Sequence, residues 1–375
     1  MGRRGRNEGS ITKRGDGRWE ARISLPDGKR KSFYGKTRQE VAQRLTQARY
    51  EADRGMPLLD ERQTVGQYLE MWLETMKLHV RPSTWRRYKN QVFLHLIPGL
   101  GKVALVKLTP QQVQVFYAQQ VSGGLAVTTV RHMHRVLRHA FKDALQFGLV
   151  ARDVMQMVKA PRQEHHEMLT LAEEQAQHLL EVVRGDRFEA LFVLALTTGV
   201  REGELLALRW QDVDIDQSAI QVRVNLQEDG SNFTIAETKT AHGRRHIGIS
   251  KRALAALRAH RAQQHEERLA LGPVWNTTLD LVFPNSIGEI VRPEHFRREV
   301  FKRTLVRAGL PNIRFHDMRH TAATILLSHG VNVKVVSEML GHADVAITLR
   351  VYAHVIPHMQ QAAVDVIDAL FWELA

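Results

Sequence analysis

Apolar residues recur at helical spacing through most of this chain, and that periodicity constrains its fold more than any other feature. The clearest stripe comprises Val65, Tyr68, Leu69, Trp72, Leu73 and Met76. A spacing of three and four residues places such side chains on one face of a helix. Further helical stretches are predicted at about 83–95, 110–121 and 126–147. Residues 62–158 therefore predict a compact four-helix domain.

The beginning of the chain has a different pattern, in which apolar and polar residues alternate. This alternation predicts a half-buried strand over residues 18–25 and a second strand over 30–34, joined by a Pro-Asp-Gly turn. Thr37 and Glu40 form a capping box for a helix that runs to about residue 54. Residues 1–58 therefore predict a small β-sheet/helix domain, in which the Gly- and Arg-rich residues 1–15 are expected to be a mobile arm.

The remainder of the chain, residues 168–375, is predicted to be a larger and mostly helical domain. Its first helix is expected to open at a capping box from Thr170 to Glu173. Strand-like pieces interrupt the helical pattern near 219–224, 232–236 and 244–249. The whole chain is therefore predicted to be mainly α with small antiparallel sheets, an α+β fold.

The charge balance points to a polyanionic partner. The sequence has 53 Lys and Arg against 40 Asp and Glu, a net charge of +13. Residues 1–60 hold 15 basic and 8 acidic residues, so 15 − 8 = +7 of that excess lies in one sixth of the chain. Basic surfaces of this kind neutralise nucleic-acid phosphates, although a solvated basic surface is the alternative.

Two groups of basic residues are candidates for DNA contacts. A strand ribbon fits a major groove and can present side chains to base edges, whereas helical arginines reach phosphates. The strand candidates are Arg22, Arg30 and Lys31. The helical candidates are Arg86, Arg87, Arg131 and Arg135, for which a solvated helix face is an equally good interpretation.

The composition also excludes several classes of site. The chain has no cysteine, which rules out disulfides, cysteine–zinc sites, iron–sulfur clusters and a thiol nucleophile. No apolar run approaches the roughly 18 residues of a membrane span, and no apolar stretch follows the basic N-terminus as in a secretory signal. A cytoplasmic protein that associates with the nucleoid, with no membrane partner, is expected.

His316 and His320 stand at the spacing of a helical zinc site, but their neighbours disfavour a metal. Asp317 occupies the place where zinc peptidases of this pattern have a general-base glutamate, and Arg319 adds a cation on the face of His316. No metal site is therefore predicted.

A set of cationic and aromatic residues fits phosphoryl chemistry better. Two guanidinium groups, two imidazoles, an ammonium and a phenol occur in turns, on one helix face and on a predicted hairpin. These residues are Arg201, Lys239, His316, Arg319, His342 and Tyr352. Guanidinium forks match phosphate oxygens, so the set can stabilise a pentacoordinate phosphorus without a metal.

The order and spacing of these six residues resemble the tyrosine recombinases of the phage integrase family. The shared motifs are an arginine in a T-G-x-R-x-x-E-L turn, a lysine on a hairpin, an H-x-x-R box, a G-H turn and a tyrosine nine or ten residues later. The family's acidic partner of the first arginine falls on Glu204. The resemblance covers residues 62–375, and residues 1–58 resemble, more weakly, the family's arm-type DNA-binding domain.

The resemblance implies a role for each residue. Tyr352 is the nucleophile that forms a 3′-phosphotyrosyl link and frees a 5′-hydroxyl; after Tyr117 it is the next and last tyrosine of the sequence. Arg201 and Arg319 clamp the non-bridging oxygens, and His342 adds a hydrogen bond. His316 is the base or orienting group, and Lys239 protonates the leaving oxygen. No cofactor, metal or ATP is required.

The resemblance also implies partners: double-stranded DNA attachment sites, a homotetramer on synapsed DNA, an excisionase and a DNA-bending host protein. An apolar stripe near the C-terminus fits a helix donated to the neighbouring protomer, although packing on its own core is the alternative. The stripe consists of Val364, Ile367, Leu370 and Phe371.

The predicted function is that of an integrase, which integrates and excises a phage genome or another mobile element. A chromosome-dimer-resolving recombinase and a type IB topoisomerase-like nicking-closing enzyme use the same chemistry and remain alternatives. The extra N-terminal domain and the C-terminal stripe favour the integrase. A transcription factor that only binds DNA has no use for a buried phenol among cations.

Overall fold

A computed structural model describes residues 9–24, 30–53, 62–163, 168–229, 232–238, 243–353 and 358–371. The chain divides into two compact units, Met1–His165 and His166–Ala375. Helices dominate both units, and the strands form small antiparallel sheets, which confirms the predicted fold class. Within the described ranges, none of the helices has the length and apolar character needed to cross a membrane.

The N-terminal sheet has three antiparallel strands in the order β1-β2-β3, followed by one helix. The elements are β1 (Ser10–Lys13), β2 (Trp19–Ser24), β3 (Arg30–Gly35) and α1 (Arg38–Asp53). Ala21 and Ile23 of β2 pack against Val41 and Leu45 of α1, as the alternating pattern predicts.

The expectation of a mobile arm over residues 1–15 is wrong for strand β1. Ile11 pairs with Ala21 of β2 and packs against the small core, so β1 completes the sheet. Only four residues form this strand, and three of them are polar or charged, which leaves too short a run for a period of two to show. Residues 1–8 lie outside the described part of the chain.

Residues 62–163 form a helical body around one apolar core. Its helices are α2 (Val65–Met76), α3 (Pro82–Gln91), α4 (Ile97–Leu100), α5 (Pro110–Ser122) and α6 (Val127–Gln146). Capping boxes open two of them, with Thr64 and Gln67 at α2 and Thr109 and Gln112 at α5. These hydrogen bonds satisfy backbone donors that a helix start leaves unpaired.

The second helix of this body continues through Pro98, beyond the end predicted near residue 95. A π-helical stretch, Val92–Leu96, carries α3 into α4, and the Ile97 N–H donates to the Val92 carbonyl. Proline has no N–H to donate, so it is tolerated at the start of the new helical segment, where no such bond is required. The chain leaves the helix after Leu100 instead.

The second unit is built around α8, which is apolar on every side and therefore buried. Its helices are α7 (Glu173–Val182), α8 (Glu189–Thr198), α9 (Glu202–Leu206), α10 (Lys251–Leu271), α11 (Pro293–His295), α12 (Lys302–Arg307), α13 (Phe315–Ser328), α14 (Val333–Leu340), α15 (Val345–Tyr352) and α16 (His358–Phe371). A π-helical stretch, Phe296–Phe301, joins α11 to α12.

Two small antiparallel sheets lie among these helices. The strands are β4 (Val213–Asp214), β5 (Ala219–Val222), β6 (Val224–Asp229), β7 (Asn232–Glu237) and β8 (Arg245–Gly248). The first sheet has the order β4-β5-β8, and β6 pairs with β7. The connection from β7 to β8 therefore joins two different sheets instead of closing the predicted hairpin. Lys239 belongs to this connection and lies outside the described residues.

The first helix of this unit begins later than the predicted cap at Thr170. Helix α7 starts at Glu173, and the Ala172 N–H donates to Oε1 of Gln175 at 2.9 Å. The preceding Leu171 is buried, and its N–H donates to Oγ1 of Thr321 at 3.0 Å. This tertiary anchor fixes the chain in place of the local cap at Thr170.

Candidate active site

Two glycine turns hold the two arginines of the predicted site. Helix α8 ends at Gly199 with φ +61° and helix α14 ends at Gly341 with φ +67°, a left-handed conformation that favours glycine. A Cβ on Gly199 would also lie 2.6 Å from the Leu340 side chain. The Gly199 carbonyl accepts from Nη1 of Arg319 at 2.8 Å, and the Gly341 carbonyl accepts from Nη2 of Arg201 at 3.2 Å. The turns thus position both guanidinium groups.

A buried carboxylate fixes Arg201 from the other side. Glu204 is buried, and its Oε1 accepts from Nη1 of Arg201 at 2.9 Å. Its Oε2 accepts at 2.7 Å from Nη2 of Arg245, a residue of β8 whose side chain is 7% exposed. Burial raises the pKa of Glu204, but the hydrogen bonds and charge of Arg245, together with Arg201, hold it below its ordinary value. Glu204 is therefore an anion that aligns two cations.

Arg319 is the most deeply buried cation of the site. It is 3% exposed, and its Nη2 has no hydrogen-bond partner among the described residues. Burial, together with the charges of Arg201 and Arg245, lowers the pKa of Arg319 to about 9, so the guanidinium stays protonated at neutral pH. An unpaired buried donor costs about 1–3 kcal/mol, and an oxyanion would satisfy it. The site therefore has a free donor for a phosphate oxygen.

Tyr352 is the last residue of α15 and is only 1% exposed. Its ring packs in an apolar cluster with Ala323 and Leu340. The hydroxyl lies 2.8 Å from Nδ1 of His320, one turn after His316 on α13. Burial raises the pKa of Tyr352 to about 12, against the opposing charge of Arg319. The phenol is therefore neutral at pH 7 and needs a base to become a nucleophile.

The structure brings a different histidine to the phenol than the sequence predicts. His316, the predicted base, is exposed, and its ring meets the ring of His320 edge-on with 5.0 Å between their centroids. It lines a surface pocket together with Arg201. His320 instead contacts the Tyr352 hydroxyl. His316 thus faces the pocket that Arg201 also lines, whereas His320 faces the Tyr352 phenol.

His342 follows the Gly341 turn, and a buried hydroxyl orients its ring. Nδ1 of His342 lies 2.8 Å from Oγ1 of Thr348, which is fully buried. Burial, followed by the charges of Arg319 and Arg201, lowers the pKa of His342 to about 4, so the ring is neutral at pH 7. If the hydroxyl donates to Nδ1, the ring hydrogen lies on Nε2, where the neutral ring can donate it.

The described part of the site contains five of the six predicted catalytic positions and the predicted acidic partner. These residues are Arg201, Glu204, His316, Arg319, His342 and Tyr352. Sequence reasoning did not assign Arg245, His320 or Thr348. His320 was visible only as the second imidazole of a zinc-like spacing, and no motif singled out Arg245 or Thr348.

Comparisons with known protein sequences show to which family the chain belongs. The sequence model of the phage integrase family matches residues 170–358, and that of the phage integrase N-terminal SAM-like domain matches residues 64–119. The chain belongs to the phage integrase family. It is 30% identical to a protein named tyrosine recombinase XerC-like from Caldanaerobacter subterraneus subsp. tengcongensis, over 91% of this chain and 92% of that one.

Solved structures of integrases share the fold of this family member. The Tn1549 transposon integrase in complex with a circular intermediate DNA is 20% identical, with a TM-score of 0.70 over 81% of this chain and 99% of that one. A lambda integrase tetramer bound to a Holliday junction is 17% identical, with a TM-score of 0.56 over 93% and 96% of the two chains. The predicted family and enzyme class, a DNA strand-transferring tyrosine recombinase of the integrase type, are confirmed.

The predicted DNA contacts of this integrase lie in the first unit, on its sheet and on helices α3 and α6. On the sheet, Arg22 forms an ion pair with Glu20 at 2.8 Å. Arg30 begins strand β3 and is exposed. The Lys31 ammonium stands 5.9 Å from the centre of the Phe33 ring. Their contacts with DNA stay a prediction.

On the helices, Arg87 of α3 and Arg135 of α6 are exposed, and the charges of both act on His132. Burial lowers the pKa of His132, and the charges of these two arginines lower it further. Arg131 donates to the Pro161 carbonyl at 2.8 Å, which gives it a structural contact. Arg86 is half-buried on α3. Arg87 and Arg135 are therefore the two exposed arginines among the helical candidates.

Proposed function

We propose that this chain is a site-specific DNA recombinase whose Tyr352 cuts one strand and holds its 3′-phosphate, in order to integrate and excise a mobile element. The observation that carries this proposal is the buried Arg319, with an unpaired Nη2, in the same site as Arg201 and the Tyr352 phenol. Hydrogen-bond donors that are already positioned in a buried site stabilise the negative charge that develops on the oxygens of a pentacoordinate phosphorus.

The reaction divides among the residues as follows. The Tyr352 oxygen attacks phosphorus, and the bond from phosphorus to the 5′-oxygen breaks. Arg201 and Arg319 hold the non-bridging oxygens, and His342 donates a further hydrogen bond from Nε2. Lys239 gives the leaving 5′-oxygen its proton. The covalent link conserves the bond energy, so the 5′-hydroxyl of a second duplex can attack it and complete strand exchange.

The proposed assembly is a homotetramer on two synapsed attachment sites, as the lambda integrase tetramer forms on its junction. The C-terminal helix α16 supports this proposal because its apolar side chains are exposed. The exposed fractions are 47% for Val364, 55% for Ile367, 62% for Leu370 and 77% for Phe371. Donating α16 to the neighbouring protomer would bury this stripe and couple the active sites.

The proposed domains are an arm-binding domain over 1–58, a core-site-binding domain over 62–158 and a catalytic domain over 168–375. Arg87 and Arg135 would contact phosphates in the core site. An excisionase and a DNA-bending host protein are the expected accessory partners, at DNA of the bacterial nucleoid.

Recombination between two plasmids that carry the sequences flanking the gene tests the function. An integrase joins the two plasmids at one position. A topoisomerase-like enzyme relaxes a single supercoiled plasmid and joins nothing. A protein that only binds DNA does neither. Relaxation without joint products, under conditions where the protein binds both plasmids, would contradict the proposal.

The role of Lys239 as the acid predicts a specific chemical rescue. Lys239→Ala is expected to cleave a normal substrate poorly, because the 5′-alkoxide leaves without a proton. A substrate with a 5′-phosphorothiolate at the scissile bond should restore cleavage, because a thiolate is a good leaving group. The rates of covalent-complex formation on both substrates measure this effect. Equal defects on the two substrates would assign the acid to another residue.

Removing residues 1–58 is expected to separate cleavage from recombination. The truncated protein should still form a covalent complex with a short core-site duplex, because the catalytic residues lie in the other unit. It should fail to recombine full attachment sites, since binding two DNA sequences at once raises the effective concentration of one near the other. Normal recombination by the truncated protein, and no footprint outside the core site for the full chain, would contradict the arm-binding role.

A further inference from the structure

The histidine that contacts the nucleophile is absent from the family motif by which the site was recognised. His320 lies one helical turn beyond His316 on α13, and its Nδ1 lies 2.8 Å from the Tyr352 hydroxyl. Both groups belong to the second unit, and the two rings are 5.8 Å apart at their centroids. A general base must lie within hydrogen-bond reach of the proton that it takes, and His320 satisfies this condition in the resting protein.

We propose that His320 is a catalytic residue, which takes the proton of the Tyr352 hydroxyl as the oxygen attacks phosphorus. This inference rests on the proposed function of Tyr352. In the cleavage step, the bond from the Tyr352 oxygen to phosphorus forms, the bond to the 5′-oxygen breaks, and the phenolic proton moves to Nδ1. In the joining step, a 5′-hydroxyl attacks phosphorus and returns its proton to the group that protonated it during cleavage. The bond from phosphorus to the Tyr352 oxygen breaks, and His320 returns its proton to the departing phenol.

The surroundings of His320 suit both protonation states. Burial and the ring of His316 lower the pKa of His320 to about 4, so the imidazole is neutral and able to accept a proton at pH 7. The carboxylate of Asp317, on the preceding turn, has the opposite effect and favours the imidazolium that forms during attack. The charged and titratable groups that face His320 are Arg314 before α13, His316, Asp317 and Arg319 on α13, His342 before α15, and Tyr352 on α15.

His316 has a different position and therefore a different task. It is exposed, lines the pocket that Arg201 also lines, and reaches His320 only through an edge-on ring contact. It is placed to contact the DNA phosphate. The H-x-x-R-H sequence thus supplies one imidazole for the substrate and one for the nucleophile.

The test measures covalent-complex formation by the full chain on a nicked suicide substrate, with His320→Ala as the variant. We expect a loss of ~100- to 10,000-fold, the usual contribution of a general base. Added imidazole should restore part of the rate in proportion to its neutral form. The matched control is His329→Ala, an exposed histidine at the end of the same helix that pairs with Glu173 and should change nothing.

The pH dependence of the cleavage rate is a second measurement, and it would not change if His320 had only a structural role. Above pH 6 the base of the wild-type protein is neutral, and below pH 8 Arg319, whose pKa is about 9, keeps its charge, so the rate should be flat between pH 6 and 8. His320→Ala must rely on the phenolate of Tyr352, whose pKa is about 12, so its rate should rise about tenfold per pH unit in this range. DNA binding by each variant, measured by mobility shift, reports whether it folds.

The outcomes separate this inference from the proposed function. Unchanged cleavage by His320→Ala overturns the role of His320, while the wild-type complex still supports Tyr352 as the nucleophile. A loss with a flat pH profile and no response to imidazole also overturns it, because the residue is then structural. A complex that persists in Tyr352→Phe would overturn the proposed function itself.

Discussion

Tyr352→Phe is expected to bind its DNA site and form no covalent complex. The substitution removes only the hydroxyl, which makes the hydrogen bond to His320, while the ring continues to pack against the apolar cluster. The loss should reach the detection limit, because the bond to phosphorus has no other oxygen to form with. A denaturing gel of protein with a suicide substrate, beside a mobility-shift assay, measures both properties.

Tyr117→Phe is the matched control for this variant. Tyr117 is also a buried phenol beside a histidine, with its hydroxyl 3.4 Å from Nδ1 of His134, but it lies in the first unit. It should form the covalent complex at the wild-type rate. A covalent complex from Tyr352→Phe, or its loss from Tyr117→Phe alone, would reassign the nucleophile.

Arg319→Ala is expected to lose cleavage far more than DNA binding. Its guanidinium is buried and its Nη2 is unpaired, and in the proposed reaction this group donates to the charge that develops on the phosphate oxygens. Removing a comparable oxyanion donor costs ~3–4 kcal/mol, or ~100- to 1,000-fold in rate. Single-turnover cleavage rates and dissociation constants on the same duplex provide the comparison.

Two further variants separate catalysis from folding at this position. Arg319→Lys keeps the charge but loses the planar fork, so it should recover part of the binding geometry and little of the rate. Arg184→Ala removes an exposed arginine of the same unit, which pairs with Glu181, and should leave the rate unchanged. Equal losses of binding and rate in Arg319→Ala would indicate a structural role.

The periodic elements of this fold are visible in the sequence because local pattern and core contacts agree. The stripe from Val65 to Met76 predicts α2, and the alternation after Arg18 predicts β2. The sequence-based predictions are wrong where a contact with a residue distant in the sequence determines the local structure. Strand β1 forms because it pairs with the edge of β2. Helix α7 begins later than predicted because the Leu171 N–H donates to the Thr321 hydroxyl.

The residues of the site likewise fall into those that the sequence predicts and those that only tertiary contacts reveal. Arg201, His316, Arg319, His342 and Tyr352 stand in short motifs whose order can be read along the chain. Arg245 is invisible in that reading, because its role comes from a strand that places it against Glu204, 41 residues earlier. His320 lies within a motif, but only the tertiary contact between its ring on α13 and the Tyr352 hydroxyl on α15 shows that it meets the phenol.

The most direct test of the account is to identify the residue that carries DNA after cleavage. The full chain is trapped on a suicide substrate, digested with a protease and a nuclease, and the nucleotide-bearing peptide is sequenced by mass spectrometry. The account predicts a nucleotide joined through its 3′-phosphate to Tyr352. A 5′-phosphate link, or a nucleotide on any other residue, would contradict it.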